Sequence, residues 1–185
     1  MKSFLITLWL SVAGMLLQGL AAEPTPAERK KFVETKAKAD QGDAQAQYNL
    51  GVMYMIGIGV VKDEVEAVEW FRKAADQGDA LAQYNLGLMY DNGNGVVKDE
   101  VEAVKWYRKA ADQGDADAQF NLGKMYAAGR GVVKDEVEAY KWFLLGGAQG
   151  DGDAKKGIEI IGRVLTPAQR AEGQKIAREW KPRKP

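Results

Sequence analysis

Asp43-Ala44-Gln45-Ala46-Gln47-Tyr48-Asn49-Leu50-Gly51 is followed 36 residues later by a near copy starting at Asp79, and 36 residues after that by a third starting at Asp115. The stretch downstream keeps the same period. Val60-Val61-Lys62-Asp63-Glu64-Val65-Glu66-Ala67 returns from Val96 and from Val132, and Trp70, Trp106 and Trp142 keep step with it. A fixed period of this length marks a supersecondary unit that cannot bury its apolar face alone and does so by stacking on its copies.

Within a unit, Ala46, Leu50, Met53 and Tyr54 follow helical spacing up to Gly57-Ile58-Gly59, where glycine stops the helix. Asp63 then stands directly before a second periodic run with Glu66 three positions on, an N-cap followed by a carboxylate in the favourable first turn. The second helix is expected from Glu64 to Asp76, burying Ala67, Trp70, Phe71, Ala74 and Ala75, with Gly78 closing the unit before Asp79 caps the next. The fold class is therefore all-α: a right-handed α-solenoid of stacked helix-turn-helix repeats with N- and C-terminal capping helices. Gly51, Gly87 and Gly123 fall inside helices, where glycine costs about 1 kcal/mol relative to alanine. Their position predicts a close approach between helices.

The unit resembles the Sel1-like repeat. Ala44, Ala46, Gln47, Leu50, Gly51, Tyr54, Gly57, Gly59, Val60 and Asp63 carry the likeness in the first half, and Ala67, Trp70, Lys73, Ala74, Ala75 and Gly78 carry it in the second. The resemblance spans roughly residues 40 to 150, and in the third copy it breaks at Leu145-Gly146-Gly147, where Lys-Ala-Ala is expected. It implies a tetratricopeptide-like solenoid and an adaptor role; exported bacterial members of the family include regulators of sensor kinases, envelope assembly factors and factors that touch host proteins.

The ends of a solenoid need polar covers. Ala27 to Asp40 is rich in Lys and Glu and aligns with a second helix, Glu34 taking the place of Trp70, so it reads as an N-terminal cap. Asp153 to Leu165 reads as the first helix of a fourth unit, displaced by two extra residues, Gly152-Asp153. Thr166-Pro167 supplies an N-cap and an N1 proline for a final helix through Trp180, and the basic tail from Lys181 is expected to fray. The domain reading is a signal peptide at 1–21, a linker and capping helix at 22–39, and repeats at 40–75, 76–111 and 112–147. A degenerate helix at 148–165 and a capping helix with a basic tail at 166–185 complete it.

At the start of the chain, Lys2, an apolar run from Phe4 to Leu17 and the exit Gly19-Leu20-Ala21 form a secretory signal with cleavage expected after Ala21. The run is shorter than the roughly 20 residues of a membrane span, so an exported protein, periplasmic or secreted, with no membrane anchor after cleavage is expected. There is no Cys and no His, and both serines, Ser3 and Ser11, lie in the signal. Ser–His and Cys–His nucleophiles and imidazole or thiolate metal sites are thereby excluded. Equal numbers of acidic and basic residues, 26 each, argue against nucleic acid, whose phosphates demand a basic stripe. No enzyme, cofactor or metal is expected; the partner is another protein or peptide and the chain a monomer.

Differences between near-identical copies locate the partner surface. They occur at Gln45/Leu81/Asp117, Val52/Leu88/Lys124, Met55/Asp91/Ala127 and Ile56/Asn92/Ala128. At about 100° per residue these positions cluster on one stripe of the first helix, opposite Ala46, Gln47, Leu50 and Tyr54. Stacking sets the stripes side by side, on the concave face if the geometry follows tetratricopeptide proteins. The expected contact residues are Val52, Met55 and Ile56 in the first copy, Leu88, Asp91 and Asn92 in the second, and Lys124 with the loop residue Arg130 in the third. Asn49, Asn85 and Asn121 join them as an amide ladder able to pair with an extended peptide backbone or, alternatively, to bond within the solenoid.

Other chemistries fit poorly. Asp91 to Glu102 has calcium-loop spacing, but Gly93 and Gly95 occupy ligand places. A carboxylate-based glycan enzyme needs two acids across a cleft at one odd place, whereas Glu64, Glu66 and their counterparts recur in every copy. A glycan-binding module would need exposed aromatics, and Tyr48, Tyr54 and Trp70 fall mostly on core faces.

Overall fold

The computed structural model describes residues 23–183, among which there are nine helices and no strand. They are α1 (Pro26–Asp40), α2 (Ala44–Ile56), α3 (Glu64–Asp76), α4 (Ala80–Asn92), α5 (Glu100–Gln113), α6 (Ala116–Ala128), α7 (Glu136–Ala148), α8 (Gly152–Val164) and α9 (Pro167–Glu179). The architecture is the right-handed α-solenoid with capping helices read from the repeat. Each helix from α1 to α7 packs on the next along the chain, and α9 doubles back onto α7. The signal at residues 1–21 lies outside the described residues.

The caps form as the sequence dictates. Asp63 takes hydrogen bonds from the backbone N–H of Val65 (3.0 Å) and Glu66 (3.1 Å), and Asp43 takes one from Ala46 (2.7 Å). Gly57 ends α2 with φ +76°, a left-handed conformation open to glycine. Gly59, two residues on, also has a positive φ, and a side chain there would collide with the carbonyl oxygen of Glu28 in α1. Gly95 and Gly131 stand against Glu64 and Glu100 in the same way, so α1 occupies the place of a second helix from an earlier unit. Its Phe32 meets Tyr54 edge to face at 5.4 Å, and its Ala39 is buried.

Leu50, Phe71, Leu86, Tyr107, Leu122 and Trp142 are almost wholly buried, and Ala67, Trp70, Ala74 and Ala75 join them in the core as the period requires. The helical glycines earn their place through close packing. A Cβ on Gly51 would lie 2.7 Å from the Phe71 ring, one on Gly87 2.6 Å from Tyr107, and one on Gly123 2.7 Å from Phe143.

Successive units are also joined by a polar spine. Buried Gln47 donates to the carbonyl of Ala39 (3.2 Å) in the preceding helix and accepts from Gln77 (2.7 Å), which also donates to Gly42 (3.1 Å). Gln83 with Gln113 and Gln119 with Gln149 repeat the arrangement. Each amide thus adds a second donor to a helix-end carbonyl that already accepts from the glycine closing the helix, as Ala39 does from Gly42 (3.0 Å).

Three expectations need correction at the C-terminal end. The fourth first-helix is not displaced: Asp151 is its N-cap, accepting from Asp153 and Ala154 at 2.8 Å each, and it stands 36 residues after Asp115. Gly152 and Asp153 are the first turn of α8 rather than an insertion, because an aspartate N-cap tolerates polar residues in that turn. The tail is not frayed through Arg183. Trp180 meets Trp142 (6.4 Å between centroids), Pro182 lies against Gly114, and the Arg183 N–H donates to the Asp112 carbonyl at 2.7 Å. The second helix of the third copy, whose Gly146 and Gly147 looked irregular, runs unbroken to Ala148.

Candidate functional site

The first helices α2, α4 and α6 carry the stripe in the order the repeat demands, with a narrower exposed face than the helical wheel suggests. Asn49, Asn92 and Lys124 are exposed, and Ile56 is 55% exposed. Val52, Met55 and Leu88 are half-buried and pack against the edge of the core instead of standing opposite it, because stacked neighbours close over the flanks of each helix.

The three asparagines sit in register and are engaged within the solenoid. Asn85 donates to the Leu81 carbonyl (2.8 Å) and Asn121 to the Asp117 carbonyl (3.0 Å), while the Asn49 side-chain oxygen accepts from Gln45 (3.3 Å). Asn85 lies near Tyr48 of the preceding unit, and Asn121 near Tyr84. Burial pushes both phenols above their ordinary pKa, with nearby aspartates adding to it.

Asp91 and Arg130 come together. The Arg130 guanidinium pairs with Asp91, whose side chain is only 14% exposed, and donates through Nε and Nη2 to Glu100 at 2.9 and 2.8 Å. Arg130 and, after it, Lys98 hold the Glu100 carboxyl below its ordinary value. The loop of the third unit is thereby clamped to the second. At the joint between the first and second units the matching residues are Asn94 and Met55, which cannot form such a clamp.

Sequence reasoning missed the continuation of the row into α8. Keeping the period of 36 would have placed Lys156, Gly157, Ile160 and Val164 on the stripe, in line with Phe120, Asn121, Lys124 and Ala128. Ile160 and Val164 are 63% and 67% exposed. Between α6 and α8 lies a groove of about 470 Å³, floored by Phe143 and walled by Phe120, Ala127, Ile160 and Ile161.

The acids that recur in each unit lie at second-helix N-termini, where Glu64, Glu100 and Glu136 pair with Lys62, Lys98 and Lys134. Among the described residues no group of three or more acids is placed to hold a metal ion, and no helix is long and apolar enough to cross a membrane. Trp70, Trp106 and Trp142 are buried, with Lys73, Lys109 and Lys141 over their rings, so none offers a stacking platform.

The Sel1 repeat profile matches residues 44–79, 80–115 and 116–151. No curated protein matches the chain. Among solved structures, a protective antigen of uropathogenic Escherichia coli with an SLR fold is 38% identical, with a TM-score of 0.74 over 80% of this chain and 32% of that one. The chain thus spans about a third of that antigen's length. A Sel1 repeat protein from Oxalobacter formigenes is 42% identical over 70% of this chain and 98% of its own, with a TM-score of 0.65. Cysteine-rich protein B of Helicobacter pylori is 26% identical over 69% and 95%, with a TM-score of 0.56.

Proposed function

The chain belongs to the Sel1 repeat family, whose members are generally protein-interaction modules, and from that premise we propose an exported adaptor that receives a protein or peptide along its row of first helices. One observation carries this reading. Caps and glutamine spine recur from unit to unit, and within the first helices the substitutions between copies at positions 45, 52, 55 and 56 and their counterparts gather on one side of α2, α4 and α6. A solenoid offers such a face as one continuous surface, and a partner reads its units in series. Export rests on Lys2, the apolar run to Leu17 and the small-residue exit at Ala21, together with a chain free of cysteine.

The test compares residues 22–185 with the double variant Ile56→Asp, Asn92→Arg, both immobilised and exposed to envelope extract. Both positions are exposed, so the variant keeps its circular dichroism and melting temperature. A protein retained by the parent and lost on the variant supports the reading. Equal retention on both, or none on either, overturns it.

A further inference from the structure

At the joint between the third and fourth units several changes converge. In the two preceding joints a tyrosine stands beside an asparagine of the next unit, Tyr48 beside Asn85 and Tyr84 beside Asn121. At the same place in the last joint stand Phe120 and Gly157, so hydroxyl and amide are lost together and no polar plug remains. Ala127 and Ala128 replace Asp91 and Asn92, trimming the wall further. The result is the α6–α8 groove, and its 470 Å³ falls within the range of pockets that take an organic ligand or a large side chain. Its floor is fixed, because the Phe143 ring lies between Gly123 and Gly157, where a Cβ would come within 2.7 and 2.9 Å of it.

The rim changes sign as well. Lys124 stands where the earlier units have Val52 and Leu88, Arg130 where they have Ile58 and Asn94, and Lys156 where they have an aromatic residue. Arg130 is held by Asp91 and Glu100, and Lys156 by Asp153 at 2.8 Å. Lys124 has no carboxylate within ion-pair distance among the described residues, Asp153 nearby being paired with Lys156: its ammonium lies over the Phe120 ring (5.1 Å) and donates to Asn121 (3.2 Å). An apolar slot edged by an unpaired ammonium complements an apolar group carrying a negative charge.

We propose that the α6–α8 groove is the anchoring pocket of the partner surface and takes an acidic peptide segment, one large apolar side chain entering the slot and a flanking carboxylate meeting Lys124. The assignment rests on the reading of the first-helix row as the partner surface and names the chemistry of what binds at its C-terminal end.

The test titrates 15N-labelled residues 22–185 with an acetylated, amidated hexapeptide having phenylalanine flanked by glutamates. Controls replace the glutamates by lysine, replace the phenylalanine by alanine, or substitute decanoate for the peptide. Saturable shifts of the Lys124, Gly157 and Ile160 amides with the acidic phenylalanine peptide are expected, and raising the salt from about 0.05 to 0.5 M should weaken them. Lys124→Glu and Ile160→Asp, both at exposed positions, are each expected to weaken binding about tenfold while leaving the melting temperature unchanged. Equal shifts with the lysine or alanine peptide, shifts with decanoate alone, or none with any ligand overturn the assignment. In that case loss of the captured protein on the Ile56→Asp, Asn92→Arg variant still upholds the general adaptor reading, so the two can fail separately.

Discussion

Tyr107 is the one ring of its set with a hydroxyl: Phe71 and Phe143 fill the same place in the neighbouring units. Its oxygen is buried and has no hydrogen-bond partner among the described residues, and burial pushes its pKa well above the ordinary phenol value. An unsatisfied buried hydroxyl costs about 1–3 kcal/mol, so Tyr107→Phe is expected to raise unfolding stability by about 1 kcal/mol in urea titration. A loss of similar size would show that the hydroxyl has a partner. At this scale the sequence was legible where a residue's role is fixed by its own unit. The glycines at 51, 87 and 123 announced the close ring contacts through their cost in a helix. The glutamine spine was hidden because Gln47 finds its partner 30 residues away in Gln77, and an amide on a core face looks alike whether or not a partner waits for it.

Among elements, the pairing of Asp91 with Arg130 was equally hidden. Asp91 is read as a partner contact from its stripe and Arg130 from its loop, but neither place says that the loop, 39 residues downstream, folds over the stripe. The clamp has a pH signature. The folded-state pKa of Glu100 is depressed, so its contribution is present above the ordinary glutamate value of about 4.3 and is lost as pH falls through the depressed value. Arg130→Ala is therefore expected to lower the melting temperature at pH 7, and the gap to the parent should shrink below pH 4. A gap that stays constant into acid would place the effect elsewhere. The row's last helix was misread for a different reason. Gly152-Asp153 looked like an insertion when only residue types were compared, whereas the invariant spacing of the N-cap aspartates, 115 to 151, carried the true register.

Across the whole molecule, the solenoid was legible because its unit is written out repeatedly, and both capping helices because their polar composition and N-cap residues mark them; what each cap docks on was not, because each end occurs once. The C-terminal cover is α9, which lays Gly173 against the Tyr140 ring and Trp180 against Trp142. Removing residues 166–185 should uncover both rings and lower stability by about 3 kcal/mol, the order expected for exposing a large side chain. Hydrogen exchange should then show α7 and α8 opening first while α3 to α5 stay protected, since each unit touches only its neighbours. Uniform loss of protection would mean the array unfolds as one cooperative block. The glutamine spine carries a different consequence for the lineage of such a chain. Every joint offers upstream the carbonyls, and downstream the amides, that the next joint requires, so a gene can gain or lose whole 36-residue units by recombination between its own copies without any new surface having to evolve. Growth of that kind would lengthen the middle and leave the Phe120–Gly157 joint where it stands, last in line.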